Sequence, residues 1–195
     1  MTRTLPTVFR LVICDLDGTL VDSDRALADA FVAMGVRRED VTYGHVVAEE
    51  CARLGIDPDE WAAAFDASGT EPFPGVDDAV RQLDRWAVCS NRLRHSGEDD
   101  LRRFGWEPQV ALFADAFAGA KTPVPILTAL GVDPAEAVFV GDTDHDRHCA
   151  RAAGVAFALA AWNPRAVATP GDIVLTEPAQ LVELAQSAAG SDSTT

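Results

Sequence analysis

Lysine is nearly absent from this chain of 195 residues: Lys121 is the single lysine, and the other fifteen basic residues are arginine. A compact ammonium acts as a point charge where a planar guanidinium does not, so a lone lysine on an arginine background marks a place where the difference matters. Positive charge is scarce altogether. With 31 Asp and Glu against 16 Lys and Arg, the formal charge of −15 excludes a long-range field that gathers phosphate backbones or anionic lipid. Nucleic acid and membranes are therefore not expected partners. No apolar run approaches the roughly 20 residues that span a bilayer, and residues 1–10 lack the basic, apolar and cleavage segments of a secretion signal. A cytoplasmic location is expected. The four cysteines, Cys14, Cys51, Cys89 and Cys149, form no C-x-x-C pair and are expected to be reduced and buried.

What is present is an ordinary globular composition, 48% hydrophobic with 14 Gly and 11 Pro, long enough for one domain or one domain carrying an insertion. Short apolar runs at Val8 to Cys14, Trp86 to Cys89, Ala116 to Ala118, Ala137 to Val140, Val155 to Ala160 and Ile173 to Leu175 read as strands. Helical patterns separate them: Val76 to Arg85, Gly97 to Phe104, Pro125 to Leu130, Asp144 to Ala153 and Ala179 to Ala188. That alternation predicts an α/β fold with a doubly wound parallel sheet covered on both faces.

One stretch breaks the rhythm. Asp24 to Met34, Asp40 to Leu54 and Asp57 to Ala67 carry helical patterns with no strand between them, and Pro72-Phe73-Pro74-Gly75 marks the return to the main domain. The expectation is a core of residues 1–21 and 73–190, a small all-helical cap at 22–72 inserted after the first strand, and a flexible tail at 191–195. An insertion there would sit over the carboxyl edge of the sheet, where open α/β folds bind ligands.

Two strands end in acids. Val8 to Cys14 delivers Asp15 and Asp17, and Ala137 to Val140 leads into Gly141-Asp142-Thr143-Asp144-His145-Asp146. Each cluster has a plain structural reading, since Asp-Gly is a common turn and an acid at 144 or 146 caps a following helix. Like charges at adjoining strand ends are costly without a cation, and if the two strands are neighbours their carboxylates converge on an all-oxygen site suited to Mg²⁺. Ser90-Asn91 closes a third strand, and Lys121 precedes a later helix.

Together these residues resemble the haloacid dehalogenase superfamily in its phosphatase form. Asp15-Leu16-Asp17-Gly18-Thr19-Leu20-Val21-Asp22-Ser23 looks like the first motif, and Ser90, Lys121 and Gly141-Asp142-x-x-x-Asp146 match the other three in order. Phe73-Pro74-Gly75-Val76 resembles the cap-to-core junction of phosphoglycolate-phosphatase-like members. The resemblance implies a Mg²⁺-dependent phosphatase acting on a small phosphorylated metabolite, phosphoglycolate-like or a sugar phosphate. In it Asp15 is the nucleophile that forms an aspartyl-phosphate, Asp17 is the general acid and base, and Lys121 is the second cation. Gly18, Thr19, Ser90, Asn91 and Lys121 would bind the phosphate. Asp15, Asp142 and the carbonyl of Asp17 would hold the metal, and Asp146 would orient Lys121 or a metal-bound water. A phosphomutase uses the same residues. A receiver domain or an idle Mg²⁺- and phosphate-binding member shares most of them, although the acid at Asp17 is at odds with a long-lived acyl phosphate. Lys121-Thr122-Pro123-Val124-Pro125 sets the prolines one position later than in relatives. The compact cap leaves the substrate's organic part open.

Overall fold

The computed structural model describes residues 9–66 and 69–185. The start of the first expected strand at Val8, the last residue of the third cap helix at Ala67, the end of the last helix at Ala188 and the tail lie outside the described residues. Among the described residues six strands form one parallel sheet: β1 (Leu11–Cys14), β4 (Trp86–Cys89), β5 (Val110–Leu112), β6 (Ala137–Gly141), β7 (Ala156–Ala160) and β8 (Ile173–Leu175). Their order is β5-β4-β1-β6-β7-β8, so the chain winds outward from β1 in both directions and the topological switch lies beside it. The two acid-bearing strands are direct neighbours, with Cys14 opposite Val140.

Every residue of β1 and β4 is buried, the signature of parallel strands covered on both faces. Val12 and Cys14 point into one core with Val76 and Val80 of α4 (Val76–Val80), Leu101 of α5 (Arg94–Phe104) and Leu181 of α8 (Gln180–Leu184). Leu11 and Ile13 face the opposite core, where Ile126 of α6 (Val124–Leu130) and Ala150 of α7 (Asp144–Ala152) pack. All four cysteines are free and buried. Among the described residues no helix is long and apolar enough to cross a membrane.

The irregular stretch holds α1 (Asp24–Ala33), α2 (Val47–Leu54) and α3 (Pro58–Ala64), between two short strands, β2 (Val21–Asp22) and β3 (Glu71–Pro72), that pair antiparallel. Phe31, Cys51 and Trp61 give these helices a core of their own. Asp57 caps α3 as its sequence suggests, accepting from the amides of Asp59 and Glu60.

Two expectations need correcting. The edge strand is Val110–Leu112 rather than Ala116 to Ala118, where Ala114–Ala116 makes a single 3₁₀ turn. Gly105 stops α5 in the left-handed conformation and Gln109 N already donates to Trp86 O at 2.9 Å, so the chain meets β4 earlier than its weak alanine run suggests. The pattern from Asp40 to Leu54 is not one helix either, because residues 42–46 form a loop before α2. The reason is tertiary. A Cβ on Gly44, whose φ is +90°, would lie 2.8 Å from Thr143 Oγ1, so this loop presses against the start of α7.

Buried charge fixes α7 to the segment before β8. The Arg147 and Asp172 side chains are 4% and 1% exposed, and Arg147 Nη2 lies 2.9 Å from Asp172 Oδ2. Burial raises the Asp172 carboxyl, but donors on Arg147 and Thr169 outweigh it and hold the group below its ordinary 3.8. Its stabilisation is therefore complete above about pH 4 and is lost as pH falls through the depressed value. Asp172→Ala leaves the guanidinium with only Asp144 and a main-chain carbonyl and is expected to cost about 3 kcal/mol at pH 7. Urea unfolding at pH 7 and pH 3 checks this, the difference between variant and parent shrinking at the lower pH.

Candidate active site

Lys121 lies in the segment before α6, and its ammonium is buried between two carboxylates from different strand ends. Nζ is 2.9 Å from Asp15 Oδ1 and 2.7 Å from Asp146 Oδ1, and all three residues are at most 4% exposed. Burial favours the neutral amine, yet Asp146 and Asp15 outweigh it and hold the pKa well above the ordinary value. The charge is permanent at any working pH. Asp146 also closes the amino end of α7. Its Oδ2 accepts from the amides of Asp142 and Thr143 and from Thr143 Oγ1, while Thr143 caps the helix in return. Burial works against the ionised Asp146, but Lys121 and these donors keep its carboxyl below the usual range. Gly141 makes room for it: a Cβ there would fall 2.3 Å from the Asp146 Cβ.

Asp142 stands beside this pair. Thr19 Oγ1 donates to its Oδ1 at 3.0 Å, and Asn163 Nδ2 and Arg165 Nη2 reach its Oδ2 at 3.2 and 2.6 Å. Carboxylate oxygens of Asp15, Asp142 and Asp146 all lie within 4.8 Å of one another. Crowding burial and like charge together, the site pushes Asp15 from 3.8 to about 7, chiefly by burial, and Asp142 to about 8, by burial and then by Asp146. This is a donor set for a hard divalent cation: oxygen only, excess negative charge, and two carboxyls that ionise reluctantly without one.

The side chain of Asp17 is not in that cluster. The turn at Gly18, with φ of +73°, carries it to Arg92, whose Nη1 donates to Asp17 Oδ1 at 2.7 Å. Gly18 is required there on two grounds, its φ and the 2.6 Å that would separate a Cβ from Asp142 Oδ2. The sequence reading gives Gly18 and Thr19 to a phosphate. In the structure the Gly18 amide donates to Val21 O, the Thr19 amide to Leu16 O and the Thr19 hydroxyl to Asp142, so these donors are engaged within the protein. Ser90, 1% exposed at the end of β4, lines the cavity beside Asp15 and Lys121. Asn91 lines it too and donates from Nδ2 to Gly44 O at 2.8 Å.

Two residues here, Asn163 and Arg165, had no motif to announce them. Arg165 reaches Asp24, at the start of α1, with Nε and Nη2 both at 2.8 Å, and lies 4.2 Å from the centre of the Tyr43 ring. Asn163 donates to Gly18 O at 2.8 Å. The available signal was position alone, because residues 161–165 follow β7 at the same carboxyl edge as the other site loops.

A metal-free site of this kind makes stability fall as pH rises, since the folded chain holds protons on Asp15 and Asp142 that the unfolded chain releases near pH 4. With a chelator present, Tm is expected to decline between pH 5.5 and 8, and Mg²⁺ is expected to raise Tm more at pH 8 than at 5.5. Asp142→Asn should flatten both trends. Identical Mg²⁺ shifts at the two pH values would contradict the account.

Comparison with known proteins gives the family. The model of the haloacid dehalogenase-like hydrolase family matches residues 12–160. A phosphoglycolate phosphatase of Xylella fastidiosa is 31% identical over 188 residues, covering 80% of this chain and 82% of the relative. One from Xanthomonas campestris is 28% identical, covering 89% and 95%, and the pyrophosphatase PpaX of Halalkalibacterium halodurans is 26% identical, covering 77% and 83%. Among solved structures, a subfamily IA hydrolase of Geobacter sulfurreducens superposes with a TM-score of 0.66 at 26% identity, over 90% of this chain and 96% of that one. The CbbY protein of Rhodobacter sphaeroides, solved with phosphate, shares the fold at a TM-score of 0.68 and 22% identity, over 89% and 96%. The chain belongs to the haloacid dehalogenase-like hydrolases, on the phosphatase side of that family.

Proposed function

We propose that this hydrolase removes phosphate from a small phosphorylated metabolite through an aspartyl-phosphate formed on Asp15. The observation that carries the reading is Lys121, buried between Asp15 and Asp146 at the floor of a cavity that Ser90 and Asn91 also line. Asp15 attacks phosphorus in line, its Oδ–P bond forming as the ester P–O bond breaks. Asp17, its Oδ1 steadied by Arg92, gives a proton carried on Oδ2 to the departing alkoxide and later takes one from the water that cleaves the acyl phosphate. Lys121, the Ser90 hydroxyl and the main-chain N–H of Asn91 meet the non-bridging oxygens. Gly18 and Thr19 serve by shaping the loop and fixing Asp142 rather than by donating to the phosphate. Asp146 holds the ammonium in place.

Asp15, Asp142 and the main chain at Asp17 would hold Mg²⁺. When bound, the ion supplies positive charge that offsets the repulsion between a carboxylate nucleophile and a phosphate dianion. Residues 22–72 act as the cap: the loop at 42–46 reaches the core through Gly44 O on Asn91 and through the ring of His45, 4.3 Å from that of His145. A cap so placed excludes water and selects the leaving group.

Phosphate release from p-nitrophenyl phosphate is expected to require Mg²⁺ and to drop by about a thousandfold or more in Asp15→Asn. Borohydride trapping followed by mass spectrometry is expected to locate the acyl phosphate at residue 15. Undiminished turnover in Asp15→Asn would overturn the mechanism.

A further inference from the structure

We infer that the organic part of the substrate is uncharged and apolar, close to the size of a single ring, and that the cavity discriminates against a carboxylate at that position. The inference rests on the phosphatase reading and narrows it. The cavity holds about 260 Å³, just under the roughly 300–1,000 Å³ of sites for drug-sized ligands, so only a small substituent fits beyond the phosphoryl group. Its floor is polar, with Asp15, Ser90 and Lys121. Its walls, supplied by α1, α3 and the loop and helix between them, present Leu27, Phe31, Val41, Val47, Trp61 and Phe65. Phe31, Trp61 and Phe65 pack on one another, their successive ring centres 5.5 and 4.9 Å apart, and form a continuous aromatic surface.

A carboxylated leaving group is held most strongly by a cation left over once the phosphoryl group and the protein's own acids are paired. Among the described residues three Lys and Arg side chains line the cavity; each is held by two protein carboxylates, and Lys121 is also the cation that the phosphoryl group takes. Lys121 lies between Asp15 and Asp146. Arg92, its side chain 5% exposed, contacts Asp17 Oδ1 at 2.7 Å and Asp100 Oδ2 at 2.9 Å. Arg165 contacts Asp24 Oδ1 at 2.8 Å and Asp142 Oδ2 at 2.6 Å. Arg94, which the sequence sets near the same strand end, pairs with Asp115 and Glu98 on the exposed side of α5. Of the two histidines in the lining, His95 is exposed and His45 is bound to Thr42 Oγ1 at 2.9 Å. The remaining charges around the cavity are acids, including Glu50 and Asp99. A second anion on the substrate would leave water for apolar walls and acidic neighbours without gaining a spare cation, which costs binding, whereas an apolar ring gains by covering the same walls.

Uncleavable phosphonates test this apart from catalysis. Calorimetry at pH 8 with the Mg²⁺-loaded protein is expected to show benzylphosphonate binding about tenfold or more tighter than phosphonoacetate. Leu27→Arg, which adds a cation to the wall, is expected to narrow that ratio by about tenfold while circular dichroism stays unchanged. Equal or tighter binding of phosphonoacetate to the parent protein would overturn the inference, and so would absence of measurable benzylphosphonate binding. The phosphatase reading fails on a different result, the lack of Mg²⁺-dependent ester hydrolysis that depends on Asp15, so the two are told apart. Benzyl phosphate and phosphoglycolate both leave as primary alkoxides, and their kcat/KM values are expected to follow the same order as the phosphonates.

Discussion

One ammonium group reconciles the carboxyl edge of this sheet with its own charge. Asp15, Asp142 and Asp146 bring carboxylate oxygens within 4.8 Å of one another in a space almost closed to water, an arrangement that repels itself. Lys121 relieves Asp15 and Asp146 directly, and the helix-capping donors of residues 142–143 share the burden at Asp146. Asp142 is relieved separately, by Thr19, Asn163 and Arg165. The relief is incomplete, as the raised Asp15 and Asp142 carboxyls show. A site left with an excess of negative charge on oxygens set this close together could hold a hard cation. The chain's −15 charge therefore does not conflict with an anionic substrate, because the compensating charge is local.

Arginine does different work in the same region. Arg92 and Arg165 each bridge two acids from separate segments, using the forked geometry that a lysine lacks. Through Arg165 the start of α1, the aromatic ring of Tyr43 and the carboxylate of Asp142 are joined, so the helical layer is tied to the same residues that form the acid cluster. Charge gathers at the floor of the cavity with Asp15 and Lys121, while Leu27, Phe31, Val41, Val47, Trp61 and Phe65 give its walls apolar surface.

The succession of strands and helices was readable because buried parallel strands appear as short apolar runs, and the motif residues sit where those runs end. The third strand end shows the limit: Val110–Leu112 and Ala116 to Ala118 are both short and alanine-containing, and the spatial reach from Gly105 to the edge of β4 settled which one pairs. The loop at 42–46 shows it again, since a glycine forced against Thr143 interrupts a pattern that locally suits a helix.

By itself the sequence determined the parallel α/β architecture, and it singled out Asp15, Asp17, Ser90, Lys121, Asp142 and Asp146 as the expected site, through local periodicity and residue types at fixed offsets. Tertiary structure alone decided that Asp17 turns to Arg92, that Gly18 and Thr19 direct their donors inward, and that Asn163 and Arg165 join Asp24 and Asp142 across more than a hundred residues of chain where Arg165 meets Asp24. Pairings of that kind depend on which side chains share a low-dielectric space after folding, and no local pattern encodes the distance between residues so far apart.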